Sequence, residues 1–434
     1  MSSSVGPKLI PHPRQAGLVT SATLAINERV RQLASEGKEI FNFGLGQSPF
    51  PVPQMLIRAL RENAHQKDYL PVRGLLTLRE SVSHWFKRRF ALEFNPANIL
   101  IAPGSKELLF LIQMALDCRL ILPSPSWVSY HPQSRMAGNS TIWVDTKESD
   151  NWNVTPNALR KTCEGQLDDK TGLLLLNYPN NPTGSTYEDE QLAEIACVAR
   201  DMGILVLSDE IYGEIHHQGR HTSIAQYYPE GSVVTTGLSK WCGAGGWRLG
   251  VGAFPEALTE LADRVSVMAS ETYTSTSAPI QFAATAAFEQ DAEIDRYLSD
   301  SRKVLGFVAN YLHSQLITCG ISAPAAVGGF YFFCNFESFR GQLEARGISD
   351  SSALAEALLN DIGLVTLPGA VFGRRRSELS LRMSYVDFDG ESALHHIHSI
   401  DTEDENAVAF ICPRIKLAME KLSDWLESTN LNYQ

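Results

Sequence analysis

The sequence has few of the features that direct a chain to a metal ion or a membrane. Its 434 residues include seven scattered cysteines, with no Cys-x-x-Cys pair and no Cys/His spacing suited to zinc. Neither a disulfide framework nor a metal site is therefore expected. No apolar run approaches the length needed to cross a bilayer. These absences favour a protein of the reducing cytoplasm with no membrane partner.

The chain also has fewer basic residues than acidic residues. The chain has 37 Lys and Arg against 49 Asp and Glu, a formal net charge of -12. Such a surface repels a polyphosphate backbone. The one dense basic run, Arg374-Arg375-Arg376, is short and is interpreted as a solvated turn. We therefore expect no nucleic-acid partner.

The N-terminus has no charged segment followed by an apolar one, so a secretory signal peptide is not expected. Residues 2–20 are poor in acids and contain Ser2 to Ser4, Lys8 and Arg14. This composition leaves an organellar presequence open as an alternative to a cytoplasmic location.

The remaining composition is that of an ordinary globular protein, with 44% hydrophobic and 20% charged residues. Short apolar or β-branched runs alternate with amphipathic helical stretches, such as Ser105 to Asp117. This alternation predicts an α/β fold with a mainly parallel sheet sandwiched by helices. The predicted buried strands are Ile99 to Ala102, Leu120 to Leu122, Leu173 to Leu176, Ile204 to Leu207 and Val233 to Thr235.

The pattern changes after about residue 310, which indicates a second, smaller α/β domain. Its predicted elements are a hairpin-like piece at Gly328 to Phe333, a helix at Ser352 to Leu359 and a strand at Leu379 to Ser384. We also expect an N-terminal helix, Ala22 to Ser35, to pack with this domain. The predicted division is an N-terminal segment (1–48), a large domain (49–310) and a small C-terminal domain (311–434).

Ligands of open α/β sheets bind beyond the carboxyl ends of the strands, so the loops there are of most interest. After the first strand, Gly104, Ser105 and Lys106 form a tight turn into a helix. The free N–H groups and the dipole at that helix start suit a phosphate. The alternative is plain turn chemistry.

Two further strand ends carry polar side chains. The loop 177–184 is rich in Asn and Pro, which indicates a rigid turn, and a cis Asn181–Pro182 bond would aim Asn181 at a ligand. At the next strand end, the carboxylate of Asp209 needs a cationic partner such as a protonated pyridine nitrogen. Tyr212 would then reach a neighbouring ring oxygen. The alternative is that Asp209 caps a helix.

A lysine follows the last predicted strand. Partial desolvation of Lys240 favours its neutral, nucleophilic amine and so a Schiff base with an aldehyde. Arg248, eight residues later, offers a bidentate clamp for a phosphate.

In this order and spacing, Asn-Pro-Thr-Gly (181–184), Ser-Asp-Glu-Ile-Tyr (208–212) and Ser-Lys-(x7)-Arg (239–248) resemble the class I/II aminotransferases of pyridoxal-phosphate fold type I. The resemblance covers nearly the whole chain. It implies pyridoxal 5'-phosphate as the cofactor, held by the phosphate cup at 104–106, Ser239 and Arg248. It also implies Trp127 stacked on the pyridine ring.

The resemblance assigns further residues. Gly46 lies in the family's substrate loop, and Arg382 is similar to the arginine that grips the substrate α-carboxylate. Tyr69 is similar to a tyrosine that reaches the cofactor phosphate of the neighbouring subunit, which implies a homodimer with shared active sites. Gly237 departs from the family pattern of a hydroxyl residue, so Thr236, Ser239 or the Thr274-Ser275 pair of the other subunit is expected to substitute.

The implied reaction moves an amino group from an L-amino acid to a 2-oxo acid by a ping-pong mechanism through an internal aldimine on Lys240. Asp209 keeps the pyridine nitrogen protonated, Asn181 and Tyr212 tune the ring oxygen, and Lys240 moves the Cα proton. A lyase, decarboxylase or oxidase on the same fold is the alternative. A ligand-sensing regulator is disfavoured, because little chain precedes the first helix to hold a DNA-binding domain.

The substrate side chain stays open at this point. A dicarboxylate needs a second cation, for which Arg73, Arg135 and Lys106 are candidates. An apolar or aromatic amino acid is equally compatible. Its expected pocket walls are Phe50, Trp127 and Phe330.

Overall fold

The computed structural model describes residues 9–10, 12–15, 17–399 and 407–431. Lys8 and the run Ser2 to Ser4, on which the presequence alternative depends, lie outside these residues. Within the described ranges, none of the helices combines the length and the apolar character that a membrane crossing requires. The same ranges contain no group of three or more His, Cys, Asp and Glu side chains placed to hold a metal ion.

In the described part of the chain, the strands form three sheets. In chain order they are β1 (Phe41–Asn42), β2 (Ile99–Ala102), β3 (Cys118–Ser124), β4 (Ser140–Asp145), β5 (Thr171–Asn177), β6 (Leu205–Asp209), β7 (Ser232–Gly237), β8 (Gly250–Ala253), β9 (Tyr331–Asn335), β10 (Leu364–Val365), β11 (Leu367–Pro368) and β12 (Ser380–Ser384).

The central sheet has seven strands in the order β2-β8-β7-β6-β5-β3-β4. All neighbours are parallel except β8, which runs antiparallel to β2 and to β7. Along β5, Leu173 and Leu175 pack in one hydrophobic cluster, and Leu174 and Leu176 pack in another. Because alternate side chains point to opposite faces, the sheet is buried on both sides. This confirms the predicted α/β fold with a mainly parallel sheet.

All five predicted strands are present, with ends that differ by at most two residues. The pattern missed β4 and β8. Residues of the edge strand β4 alternate between buried and more exposed positions, so no apolar run marks it. Strand β8 has the sequence Gly-Val-Gly-Ala, whose small side chains give little strand signal.

Helices cover both faces of this sheet and build the rest of the molecule. They are α1 (Ala22–Ser35), α2 (Gln54–Asn63), α3 (Leu76–Phe90), α4 (Ser105–Met114), α5 (Tyr130–Ala137), α6 (Pro156–Cys163), α7 (Asp189–Asp201), α8 (Thr259–Thr272), α9 (Ala278–Phe288), α10 (Ala292–Thr318), α11 (Arg340–Ala345), α12 (Ser351–Ile362), α13 (Gly390–His396), α14 (Ala407–Ile411) and α15 (Pro413–Leu431). Helix α1 has its predicted bounds, whereas α4 ends three residues before the predicted Asp117.

The C-terminal part contains an antiparallel sheet in the order β11-β12-β9. The predicted hairpin at Gly328 to Phe333 is wrong. Residues from Tyr331 onward form β9, and its partner is the distant β12, with Phe332 opposite Met383. A strand with a partner far along the chain has no local turn signal, so the sequence pattern could not identify the partner of β9.

The N-terminal α1 and β1 pack against the C-terminal part. Strand β1 pairs with β10, and Leu33 and Ile40 share a hydrophobic cluster with Val365. These contacts are those expected of an N-terminal segment that joins the small domain. The boundaries after residues 48 and 310 stay a prediction.

The interpretation of Arg374 to Arg376 as a solvated turn is wrong for Arg374. The side chain of Arg374 is only 10% exposed, and its guanidinium lies 4.9 Å from the centroid of the Trp152 ring. It donates a hydrogen bond to the main-chain oxygen of Ser124 at 2.9 Å. Arg376 remains 79% exposed. The buried partners of Arg374 are distant in sequence, so the local pattern gave no sign of them.

Candidate active site

A cavity of about 260 Å³ lies at the carboxyl ends of β2, β5, β6 and β7. Eleven of the residues singled out in the sequence line it together, although they come from eight separate segments of the chain. These are Gly46, Ser105, Lys106, Trp127, Asn181, Asp209, Tyr212, Ser239, Lys240, Arg248 and Arg382. The parallel strands therefore deliver their loop residues to one place, as the rule for open sheets requires.

Lys240 follows β7 and reaches into this cavity. Its amine donates a hydrogen bond to the main-chain oxygen of Gly46 at 2.6 Å. Desolvation, aided by the positive charges of Arg382 and Arg248, lowers the pKa of Lys240 to about 8, while Asp209 opposes the change. A substantial fraction of the amine is thus neutral near physiological pH, as a nucleophile requires.

Asp209 ends β6 and is buried in the floor of the cavity. One carboxylate oxygen accepts a hydrogen bond from the hydroxyl of Tyr130 at 2.8 Å, and the other accepts one from Thr235 at 3.3 Å. Burial raises the pKa of Asp209 to about 6 despite these hydrogen bonds and a further one from the main chain of Ile211. The capping alternative is wrong, because the next helical element is the short 3-10 helix Gly213–Ile215, which has Tyr212 at its N-cap. The buried charge still lacks a cationic partner in contact with it among the described residues.

The start of α4 and Arg248 form a cationic corner. Gly104 has φ of +92°, and a Cβ there would lie 2.2 Å from a terminal nitrogen of Arg248. Arg248 itself donates only to main-chain oxygens, those of Gly245 and Pro103, each at 3.1 Å. Free N–H groups of the helix start and an arginine without an acidic partner among the described residues make an anion site.

Lys106 extends from the first turn of α4 toward the ring of Trp127, with its amine 5.1 Å from the ring centroid. Burial and the neighbouring Arg248 lower the pKa of Lys106. Within the described chain Lys106 has no ion-pair partner. Trp127 packs edge-on against Tyr130, with the two ring centroids 5.1 Å apart.

Arg382 enters from β12, on the C-terminal side of the cavity. It donates to the side-chain oxygen of Asn181 at 3.2 Å and to the main chain of Gly44. Its Nε is buried with no partner among the described residues. A bound carboxylate would supply the missing acceptor.

The Asn181–Pro182 bond does not take the cis form that the sequence left open. The cis peptide bonds in the described structure precede Pro125 and Pro179 instead. Asn181 is nevertheless fixed, because its main-chain N–H donates to the side chain of Asn177 at 2.8 Å and its amide oxygen accepts from Arg382.

Two predicted residues do not line the cavity within this chain. Gly104 precedes α4, of which Ser105 and Lys106 do line the cavity. Tyr69 is 90% exposed at the surface. Ser239 lines the cavity, whereas Thr236 and the pair Thr274 and Ser275 of the same chain do not.

The pocket walls differ from those expected. Phe50 is buried in the core against Tyr297 and Phe388, so it is not a wall. Phe330 is also absent from the lining, and its neighbour Tyr331 takes its place. The lining residues missed in the sequence are Ser21, Tyr130, Asn177, Ile211 and Tyr331. Tyr130, Ile211 and Tyr331 lie within three residues of a predicted site residue or pocket wall, so a search around each motif would find them.

Comparison with known proteins identifies the family to which this chain is similar. Residues 38–395 match the family model for aminotransferase class I and II. Aspartate aminotransferase from Bacillus subtilis is 31% identical over 385 residues, which is 86% of this chain and 93% of the relative. That from Geobacillus stearothermophilus is also 31% identical and covers 89% of this chain and 97% of its own length.

Solved structures agree with this assignment. Aspartate aminotransferase from Thermus thermophilus with maleate superimposes with a TM-score of 0.83 at 25% identity, covering 96% of this chain and all of that one. Fold and sequence thus agree on one family of enzymes. The chain belongs to the class I and II aminotransferase family, and it is a pyridoxal-phosphate-dependent transaminase of fold type I.

Proposed function

We propose that this transaminase takes a dicarboxylic L-amino acid, such as aspartate, as its amino donor and passes the amino group to a 2-oxo acid. The proposal is based on the charge balance of the cavity. The only carboxylate among its described lining residues is that of Asp209. Four cationic side chains also line the cavity: Lys106, Lys240, Arg248 and Arg382. A site with this surplus needs several negative charges from its ligands.

The cavity fits pyridoxal 5'-phosphate. The α4 start with Ser105, together with Ser239 and Arg248, would hold the phosphate, and Trp127 would stack on the ring. Asp209 would pair with a protonated ring nitrogen, the cation that its buried carboxylate lacks. Asn181 and Tyr212 would hold the ring oxygen. When bound, the cofactor supplies an electron sink for negative charge at the substrate Cα.

Lys240 is the proposed attachment point and proton carrier. Its amine is held by the main-chain oxygen of Gly46, and its pKa of about 8 is close to neutral pH. A group with such a pKa takes up and releases protons with similar ease. We assign to it the transfer of the proton from the substrate Cα.

Arg382 is proposed to grip the substrate α-carboxylate. Two of its N–H groups already donate to Asn181 and Gly44, and its Nε–H has no acceptor among the described residues. Bidentate binding of a carboxylate would orient the substrate relative to Lys240.

Arg248 is assigned to the cofactor phosphate, and Arg382 is assigned to the substrate α-carboxylate. Lys106 is therefore available to bind a second substrate carboxylate. Ser21 lies in the same lining and offers a hydroxyl. Several relatives carry the name aspartate aminotransferase, and one solved neighbour contains maleate, a dicarboxylate. Of the other candidates, Arg73 is engaged by Ala97 and Asp263, away from the cavity.

We further propose a homodimer in which Tyr69 reaches the cofactor phosphate of the partner subunit. An aromatic side chain that is 90% exposed in one chain suits an interface position. The division into residues 1–48, 49–310 and 311–434 belongs to the same proposal, with the cavity between the large and small parts.

A cytoplasmic location is proposed on the basis of the thiols. The seven cysteines are free, and several are fully buried in the core. Reduced cysteines are the usual state in a cytosolic protein.

Binding of inert dicarboxylates tests the substrate class. Maleate or succinate should bind the cofactor-loaded enzyme at least roughly tenfold more tightly than butyrate, since each carboxylate meets its own cation. Equal affinity for mono- and dicarboxylates would contradict the proposal and favour an apolar donor.

A further inference from the structure

Tyr331 contacts the proposed catalytic machinery, although no motif pointed to it. Its hydroxyl lies 2.9 Å from that of Tyr212, and both side chains are buried, at 1% and 3% exposure. Tyr331 comes from β9 in the C-terminal part, whereas Tyr212 follows β6 of the central sheet. The hydrogen bond therefore joins the two sides of the cavity.

The position of the Tyr331 hydroxyl is tightly fixed. A Cβ at Gly46 would lie only 1.9 Å from it, so glycine is required there to leave room. The guanidinium of Arg382 lies 4.7 Å from the centroid of the Tyr331 ring, within range for a cation–π contact. The ring thus packs on the carboxylate-binding arginine, and the hydroxyl reaches the phenol next to the cofactor site.

Proton counting sets the direction of this hydrogen bond, and here the argument rests on the proposed function. A phenol has one proton, and Tyr212 would donate it to the ring oxygen of the cofactor. The oxygen of Tyr212 is then an acceptor, so Tyr331 must be the donor. We propose that Tyr331 is a positioning residue that donates to the Tyr212 hydroxyl and thereby directs the Tyr212 proton onto the cofactor ring oxygen.

This chain of two phenols would stabilise negative charge on the ring oxygen, because each hydrogen bond polarises the next. Loss of the first donor should raise the pKa at which the Lys240-bound cofactor titrates. The ionisable groups that face the pair are Asp209, Tyr130, Tyr385, Lys240 and Arg382, and replacement of Tyr331 by Phe leaves all of them in place.

The test is a pH titration of the absorbance of the Lys240-bound cofactor in wild type, Y331F, Y212F and the double variant. We expect Y331F to raise this pKa by roughly half a unit and Y212F by roughly one or more. In the Y212F background Y331F should add nothing, since Tyr331 acts through Tyr212. Y187F is the matched control, because Tyr187 is a buried tyrosine whose hydroxyl accepts from the Val154 N–H far from the cavity.

A second measurement separates the effect of the Tyr331 hydroxyl from the effect of the Tyr331 ring. The affinity for succinate, which reports on Arg382, should be unchanged in Y331F and weakened several-fold in Y331L, which removes the ring. An unshifted Y331F titration, or an equal shift in the Y212F background, overturns the inference while leaving the proposed function intact. Absence of any lysine-bound cofactor band in the wild type would overturn the proposed function and this inference with it.

Discussion

The amine of Lys240 donates a hydrogen bond to the main-chain oxygen of Gly46, 194 residues away along the chain. This contact ties the lysine at the end of β7 to the loop that follows β1. The position of the amine in the cavity therefore depends on a residue from the N-terminal part of the chain.

Replacement of this lysine should abolish covalent attachment of the cofactor. We expect K240A to lack the absorbance of the lysine-bound form and to lose transaminase activity by at least about 10³-fold, because both the attachment point and the proton carrier are gone. Absorbance scans after addition of cofactor check this. The control is K161A, a change at an exposed lysine of α6. A covalent band that persists in K240A would refute the assignment.

Asp209 should make the stability of the cofactor-free protein depend on pH. Burial raises its pKa to about 6, so the folded chain holds this proton to higher pH than the unfolded chain does. The free energy of unfolding therefore falls as the pH rises from about 4 to about 6. We expect D209N to be more stable than the wild type at pH 7 by roughly 1 to 3 kcal/mol, with the difference gone near pH 4.

Urea unfolding of both cofactor-free proteins across this range measures the effect. The control is D201N, at a carboxylate that is about half exposed. The same D209N change should lower transaminase activity by at least about 10²-fold, because a neutral amide does not stabilise a protonated ring nitrogen. Parallel stability profiles for D209N and the wild type would contradict the prediction.

Lys106 should decide between acidic and apolar donors. In K106M we expect kcat/KM for aspartate to fall roughly 10- to 100-fold, with little change for phenylalanine, since only the second carboxylate loses its partner. R73M is the matched control, because Arg73 binds Ala97 and Asp263 outside the cavity. A loss of cofactor affinity in K106M with unchanged donor preference would place the side chain at the phosphate instead.

Arg374 should be important for stability although it lies in a basic run. Its guanidinium contacts Asp145, Glu378 and the ring of Trp152 and is largely buried. We expect R374A to lower the free energy of unfolding by about 2 to 4 kcal/mol, and R376A by no more than about 0.5 kcal/mol. Chemical denaturation measures both. Equal, small effects would restore the interpretation of this run as a solvated turn.

Tyr69 should act in the neighbouring subunit. Sedimentation should give twice the 47.9 kDa mass of one chain. Y69A and K240A should each impair the cofactor site on their own. Mixed and reassociated, they should regain activity, because a hybrid dimer has one site with an intact lysine and an intact partner tyrosine. Failure of the mixture to regain activity, with hybrids present, would exclude the shared site.

The sequence was most informative where a feature is local. The apolar runs of β5 and β6 and the residues directly after them, such as Asp209, were predictable because each strand is buried on both faces and ends in a polar loop. The hydrogen bond of Tyr331 and the burial of Arg374 depend on partners far along the chain. No period or turn signal records such partners, so the structure was needed to find them.

A single-turnover absorbance scan tests the proposed reaction most directly. The cofactor-loaded protein is mixed separately with aspartate, glutamate and representative apolar and aromatic amino acids. We expect an acidic amino acid to convert the lysine-bound cofactor to its amine form fastest, and a 2-oxo acid to restore the original band. A band that no amino acid bleaches reversibly would contradict transamination, and fastest conversion by an apolar or aromatic donor would contradict the acidic substrate.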